Sequence, residues 1–149
     1  MRMQKSLSGS RVFLTFLIAI GATLSFGRAQ GQDQGRKLKF EIYQDAAKEF
    51  RWRLKAGNGE TLATAGQGYK AKADCTKGVD RIKDEAGSDK VKFETYQDNA
   101  KEYRWRCKAA NGQVVASSSQ GYKAKADCEH AVDLIQKGAA KASVEDLAK

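Results

Sequence analysis

The clearest hydrophobic pattern in the chain is a strict alternation between residues 50 and 55. Its apolar and cationic positions are Phe50, Trp52 and Leu54 against Arg51, Arg53 and Lys55. An alternation of period two is typical of a β-strand with one buried face. Shorter alternations at 39–43 and around Leu62 and Thr64 predict two neighbouring strands. We therefore expect three consecutive strands, with both tryptophans of the chain, Trp52 and Trp105, in the core.

The hydrophobic period changes after Tyr69. The apolar positions that follow have the spacing of one helix face, and they are Ala71, Cys75, Val79, Ile82 and Ala86. Asp74 falls in the first turn, where a carboxylate suits the helix dipole. The pattern predicts a helix that covers the apolar face of an antiparallel three-stranded meander.

The turn between the second and third predicted strands contains Asn58-Gly59. A two-residue turn would place Leu62 on the charged face of the sheet. A three-residue loop over 57–59, with Gly59 in the left-handed region, pairs Leu54 with Leu62 instead. We expect the three-residue loop, and in the second copy the pairing of Cys107 with Val115.

The whole unit occurs twice, with a shift of 53 positions. Residues 39–86 match residues 92–139 at 30 of 48 aligned positions, and QGYKAKADC at 67–75 recurs at 120–128. One repeat of this size would bury too little surface to be comfortably stable alone. We expect a single domain over 38–149, with two repeats sharing one core and a C-terminal segment at 140–149.

The repeated segments KAGNGETLATAGQGYKAKADC and KAANGQVVASSSQGYKAKADC resemble the YegP-like domain family. The resemblance implies an α+β fold in which tandem β-β-β-α repeats form one antiparallel sheet, with both helices on one face and a pseudo-twofold axis. It also implies C-terminal strands that are exchanged between the halves, and the candidates are Lys90 to Thr95 and Ser143 to Leu147. The family has no established biochemical function, so the resemblance supplies a fold and no activity.

The first 29 residues have the pattern of a secretory signal peptide. Arg2, Lys5 and Arg11 precede an uncharged, mostly apolar run from Val12 to Phe26, and Ala29 ends a plausible cleavage site. The alternative is an uncleaved membrane anchor, but a spanning helix needs about 20 residues. We expect cleavage after Ala29, a disordered lead-in at 30–37, and a periplasmic or secreted location.

Removal of the signal peptide changes the charge of the chain. The formal net charge is +9, and residues 1–29 contribute four cations and no acid, which leaves +5. That value is mildly basic and does not fit a dedicated nucleic-acid binder. We therefore do not expect nucleic acid as a partner, and the predicted export agrees with this.

The best functional candidate is the cationic face of the sheet. Its six cations are Arg51, Arg53, Lys55, Arg104, Arg106 and Lys108, with Tyr43 and Tyr96 beside them. Paired arginines suit carboxylate, phosphate or sulfate groups. The alternative is ordinary cross-strand pairing, in which Glu41 faces Arg53 and Glu94 faces Arg106.

The cysteines allow two interpretations. Cys75 and Cys128 are repeat-equivalent, and export permits a disulfide between them if the helices meet near the pseudo-twofold axis. The alternative is three buried thiols, including Cys107, that behave as small apolar residues. His130 is the one histidine and corresponds to Lys77, which indicates a surface position. Asp45 and Asp98, with Glu49 and Glu102, flank the first hairpin loops and are interpreted as solvated.

These patterns predict no catalytic site, no metal site and no cofactor. We expect an exported binding module that uses its basic face, with an acidic polymer, a lipid head group or an envelope protein as partner. The alternative is a structural or stress-associated envelope protein without a specific ligand, and an enzyme is a remote third option. A tandem chain already holds both halves of the implied fold, so we expect a monomer.

Overall fold

A computed structural model describes residues 37–148 of the chain, so the predicted signal peptide lies outside the described residues. The strands are β1 Lys39–Gln44, β2 Phe50–Lys55, β3 Thr61–Ala65, β4 Val91–Gln97, β5 Tyr103–Ala109, β6 Val114–Ser118 and β7 Ser143–Asp146. The helices are α1 Lys72–Glu85, α2 Lys125–Gly138 and a short 3-10 turn, Ala139–Lys141. Neither described helix is long and apolar enough to cross a membrane.

All seven strands form one sheet, in the order β4-β5-β6-β3-β2-β1-β7. The two repeats meet at its centre, where β3 and β6 pair antiparallel and Ala65 lies opposite Ala116. Helix α1 packs on β1 and β2, α2 packs on β4 and β5, and the 3-10 turn contacts both helices. The predicted α+β fold with tandem β-β-β-α repeats is confirmed.

The C-terminal strand gives the sheet its one parallel pair. After α2 the chain crosses to the first repeat, where β7 runs parallel to β1 with Val144 opposite Phe40. The sheet is therefore mixed rather than wholly antiparallel. The expected exchange of the segment from Ser143 is confirmed. The other candidate segment, from Lys90 to Thr95, lies mostly in β4 and forms the first strand of the second repeat.

The first hairpin has the register of the cross-strand alternative, with Glu41 opposite Arg53, and Phe40 lies opposite Leu54. The predicted three-residue loop over 57–59 is present, because Ala56 N–H donates to Glu60 O at 2.8 Å, and Gly59 has a φ of 86°. The predicted pairing of Leu54 with Leu62 is wrong. A β-bulge at Leu62 shifts the register, so that Leu54 lies opposite Ala63. Leu62 and Ala63 are both buried.

The second hairpin of the second repeat departs from the prediction in the same way. Cys107 lies opposite Ala116, not Val115. The same irregularity therefore occurs at equivalent positions in both repeats, next to loops whose glycines, Gly59 and Gly112, both have positive φ. We take the bulge as a feature of the repeat rather than of one copy.

The core lies between the sheet and the helices. Trp52 and Trp105 are completely or almost completely buried, which confirms their predicted position. Each packs against the phenylalanine of the neighbouring strand, and the ring centroids are 5.5 Å apart for Phe40 and Trp52 and for Phe93 and Trp105. The inward helix residues are Cys75, Val79 and Ile82 in α1 and Cys128, Ala131 and Ile135 in α2.

We predict that a chain ending at Ala142 is less stable than the full chain by about 2 kcal/mol, because β1 loses a strand that hydrogen-bonds to it and covers it. Urea unfolding of the two chains measures the difference. A chain ending at Ala148 keeps β7 and is the control. Equal stability of all three would show that β7 contributes nothing to the fold.

Candidate functional site

The six cations of the basic face all have carboxylate partners within 4 Å. The pairs are Arg51 with Asp45, Arg53 and Lys55 with Glu41, Arg104 with Asp98, and Arg106 and Lys108 with Glu94. The side chains lie on the sheet face away from the helices, as the alternation predicts. Their charge is largely neutralised within the fold, so the rows act first as cross-strand pairs.

Glu41 is the centre of the ion pairs in the first repeat. It is only 5% exposed, and its carboxylate lies 2.6 Å from Arg53 Nε, 3.1 Å from Lys39 Nζ and 3.7 Å from Lys55 Nζ. Burial alone would raise the pKa of Glu41, but the hydrogen bonds from Arg53 and Lys39 outweigh it and hold the pKa below its usual value. The carboxylate therefore stays ionised and binds the cations around it.

Two loop aspartates, Asp45 and Asp98, were expected to be solvated but instead accept hydrogen bonds from Arg51 and Arg104. Asp45 accepts hydrogen bonds from the backbone N–H groups of Ala47 and Glu49 and from Arg51 Nε at 2.6 Å. The hydrogen bond from Arg51 is the main cause of the lowered pKa of Asp45. Asp98 and Arg104 repeat the arrangement at 2.6 Å. The signal available in the sequence was the six-residue spacing of these pairs, conserved between the two repeats.

The tyrosines beside the rows contact the inner arginines. The guanidinium carbon of Arg53 lies 5.0 Å from the ring centroid of Tyr43, and that of Arg106 lies 5.2 Å from Tyr96. These are cation–π distances, which further occupy the arginines. In the second repeat, hydrogen bonds from Lys108 and then Arg106 lower the pKa of Glu94. The predicted cations and tyrosines therefore lie on one face, but their contacts are with each other and with the carboxylates of the same face.

A cleft at the β1–β7 end of the sheet carries less neutralised charge. We call it the lysine cleft, because the cations that line it are Lys37, Lys39, Lys55 and Lys141. Its volume is about 550 Å³, and Glu41 is its one acidic lining residue. Lys37 and Lys141 are exposed, and neither has a carboxylate within 4 Å among residues 37–148. Of the six predicted cations, only Lys55 lines this cleft.

The lysine cleft exists on one half of the molecule. Lys141 and Ser143 reach it from the 3-10 turn and from β7, both of which follow α2. The equivalent positions after α1 are Ser88 and Lys90, which lead directly into β4. Sequence reasoning missed the cleft because Lys141 is distant in the chain and its placement depends on the crossing to the first repeat.

The cysteines are buried, unreactive thiols. All three thiols are free and buried, and Cys75 and Cys128 lie on separate helices without a bond between them. Burial raises the pKa of Cys75 to about 11 and that of Cys107 to about 12, and it also raises the pKa of Cys128. Thiols with such values remain protonated at neutral pH and are poor nucleophiles.

A second, smaller cavity lies beside Tyr69. It has a volume of about 210 Å³ and is lined by residues that include Asp74, Lys77 and Arg81. Burial raises the pKa of Tyr69, so its hydroxyl stays protonated at neutral pH. His130 is exposed, and within residues 37–148 no group of three or more His, Cys, Asp or Glu side chains is placed to hold a metal.

Comparison with known proteins gives a consistent family. A family model described as a domain of unknown function (DUF1508) matches residues 45–92 and again residues 98–146. A UPF0339 protein encoded in the ptx operon 5' region of Stutzerimonas stutzeri is 38% identical over 108 residues, which cover 72% of this chain and 95% of the relative. A UPF0339 protein of Agrobacterium fabrum is 54% identical over 56 residues, covering 38% of this chain and 89% of the relative.

Two solved structures share the fold. The solution structure of yegP from E. coli, a protein of unknown function, has a TM-score of 0.67 and 27% identity and covers 75% of this chain and 94% of that chain. A UPF0339 protein from Shewanella oneidensis has the same TM-score with 21% identity, over 75% and 92% of the two chains. These matches confirm the YegP-like resemblance, and none of them carries an assigned activity.

We predict that Glu41→Gln lowers the free energy of unfolding at pH 7 by about 1–2 kcal/mol, because the amide binds Arg53 and Lys39 more weakly than the carboxylate. Glu94→Gln is the matched control and should have the smaller effect, because Glu94 is more exposed. Urea unfolding at pH 7 measures both.

The same variants test the pKa of Glu41. Its folded-state pKa lies below the unfolded value, so its contribution is present above about pH 4.5 and is lost as the pH falls through the folded-state pKa. The difference between wild type and Glu41→Gln should therefore narrow when unfolding is measured at pH 3. A difference that is unchanged at pH 3 would contradict the ionised, hydrogen-bonded state.

Proposed function

Because this chain belongs to the DUF1508 family, whose description names no activity, we propose its function from the geometry: it is an exported, non-catalytic module that binds an anionic group in the lysine cleft. The observation that supports the proposal is the convergence of four lysines on one open cleft beside a single, already neutralised glutamate. The proposal of export rests on the pattern of residues 1–29.

The charge balance of the cleft favours an anion. Arg53 and Lys39 both contact the carboxylate of Glu41, and Lys39 also lies 2.5 Å from Glu145. Lys55 is 3.7 Å from Glu41, a longer contact. The unshared cations are Lys37 and Lys141, which stand at the rim. A ligand with one or more negative groups would be attracted to this excess of positive charge.

The chemistry of lysine narrows the ligand class. Ammonium groups act as strong point charges on flexible stems, and they bind phosphate and carboxylate groups without the fixed fork of arginine. The cleft volume lies within the range of about 300–1,000 Å³ that is common for small-molecule sites. An acidic polymer or a lipid head group could place one anionic group here, and so could an acidic segment of an envelope protein.

The basic face as a whole is a poorer binding surface than the lysine cleft. The arginine rows are held by Glu41, Glu94, Asp45 and Asp98, and breaking those pairs to bind a ligand would cost free energy. Binding at Lys37 and Lys141 breaks no ion pair of the described structure. The lysine cleft is therefore the better candidate for a reversible contact.

The test compares three probes on the same protein: short-chain polyphosphate, poly-L-glutamate and vesicles containing phosphatidylglycerol. The variant is Lys37→Ser with Lys141→Ser. The control is Lys90→Ser with Lys123→Ser, which removes the same charge at exposed positions elsewhere. We expect one probe to bind in a salt-sensitive way, with an affinity about fivefold lower in the cleft variant and nearly unchanged in the control.

The outcomes distinguish a specific site in the lysine cleft from attraction by net charge and from a purely structural role of the charges. Equal weakening in both variants would show attraction by net charge alone and would overturn the cleft as a site. No binding of any probe would favour the structural alternative, in which the charges serve only folding and solubility. The probe that binds best identifies whether a phosphate polymer, a carboxylate polymer or a lipid surface supplies the anionic group.

A further inference from the structure

The outer edge of β4 is an unfilled strand position. Within the described residues β4 pairs with β5 alone, whereas its repeat-equivalent β1 pairs with β2 on one side and β7 on the other. The difference appears in burial. Phe40 of β1 is completely buried, and its counterpart Phe93 of β4 is only partly buried.

The connectivity of the chain explains why this position is empty. Strand β7 follows α2 and crosses to β1. A shift of 53 positions carries its residues Ser143 to Asp146 onto 90–93, and these residues are largely part of β4 itself. Only five residues, 86–90, separate α1 from β4. So short a linker cannot form an additional covering strand and a return turn.

The filled position shows which groups recognise an added strand. On the backbone, Ser143 N–H donates to Leu38 O at 3.2 Å and Leu147 N–H donates to Ile42 O at 2.8 Å. On the side chains, Glu145 pairs with Lys39 and Asp146 with Lys72, each at 2.5 Å. The strand β7 itself is exposed and contributes little apolar burial, so backbone bonds and two ion pairs hold it.

The free edge of β4 presents the same groups. Leu38 and Ile42 correspond to Val91 and Thr95 of β4, and by the same alternation the backbone groups of Val91 and Thr95 point to the free edge. Lys39 and Lys72 correspond to Lys92 and Lys125. Both cations are exposed.

Neither cation is held firmly by its surroundings. Lys92 has no carboxylate within 4 Å among residues 37–148. Lys125 has one contact, at 3.3 Å to Glu129, between two well-exposed side chains on α2. An exposed pair of this kind contributes little and is readily replaced.

We propose that the outer edge of β4 binds an extended acidic segment of a partner protein, which adds to the sheet as an eighth strand parallel to β4. Two consecutive carboxylates of that segment pair with Lys92 and Lys125, and its backbone bonds to Val91, Phe93 and Thr95. Addition of a strand to an open sheet edge is a common mode of peptide recognition. The site lies at the opposite edge of the sheet from β7 and is separate from the lysine cleft.

A foreign segment is favoured over a second copy of this chain. The segment of the chain that fits such an edge is β7, and it already occupies the edge of β1. A second copy could supply β7 only by exposing Phe40 and Glu41, which are buried in the folded chain. Lys92 is an exposed cation on this open edge strand. If two copies paired along β4, their Lys92 side chains would repel each other, which disfavours such pairing.

The test uses a synthetic peptide with the sequence of residues 142–148, ASVEDLA, added to the protein. Amide chemical shifts and hydrogen exchange identify the strand that responds. We expect saturable binding with new protection of the amides of Phe93 and Thr95. The affinity should fall roughly tenfold in Lys92→Glu with Lys125→Glu and should change little in Lys70→Glu with Lys77→Glu, which makes the same change of net charge at exposed positions outside both proposed sites.

A control peptide, ASVKKLA, should not bind, because it presents cations to Lys92 and Lys125. Three results would overturn the proposal. The first is that the peptide does not bind at millimolar concentration, and the second is that it perturbs β1 and displaces β7 without protecting β4. The third is that the protein without peptide forms a dimer with protected β4 amides, which would make a second copy the occupant. Circular dichroism verifies that each variant is folded.

Discussion

The parallel pairing of β7 with β1 is the interaction on which both candidate sites depend. It carries the chain from the second repeat back to the first and adds an edge strand to a sheet that the β3–β6 pair already makes continuous. It covers Phe40 and Glu41, and it brings Lys141 and Ser143 beside Lys39 to form the lysine cleft. The same connection has no counterpart after α1, so the edge of β4 remains open.

Two similar repeats thus become different surfaces. Their strands, bulges and cross-strand ion pairs match closely, because each depends on residues inside one repeat. What differs is the segment that follows each helix: one becomes β4 and the other becomes β7. Both candidate sites arise from that difference and not from the repeated residues alone. The basic face, which is repeated, is also the surface whose charges are most completely paired.

The sequence predicts well those features that depend on local periodicity. Alternation predicted that both tryptophans are buried, and the helical spacing identified Cys75 and Ile82 as core residues. It failed at Leu62, where a bulge shifts the register by one residue, because a strand pattern does not record which residue is left unpaired. It also missed Lys141, whose place depends on a crossing between halves that no local pattern encodes.

The most direct test of the account is amide hydrogen exchange on the unmodified protein. Because β7 pairs with the outer edge of β1 and no strand of residues 37–148 pairs with the outer edge of β4, the amides of Phe40 and Ile42 should exchange slowly. Those of Phe93 and Thr95 should exchange much faster, although the two strands are nearly identical in sequence. Slow exchange in β4 equal to that in β1, or fast exchange in both, would contradict the asymmetry on which both proposed sites rest.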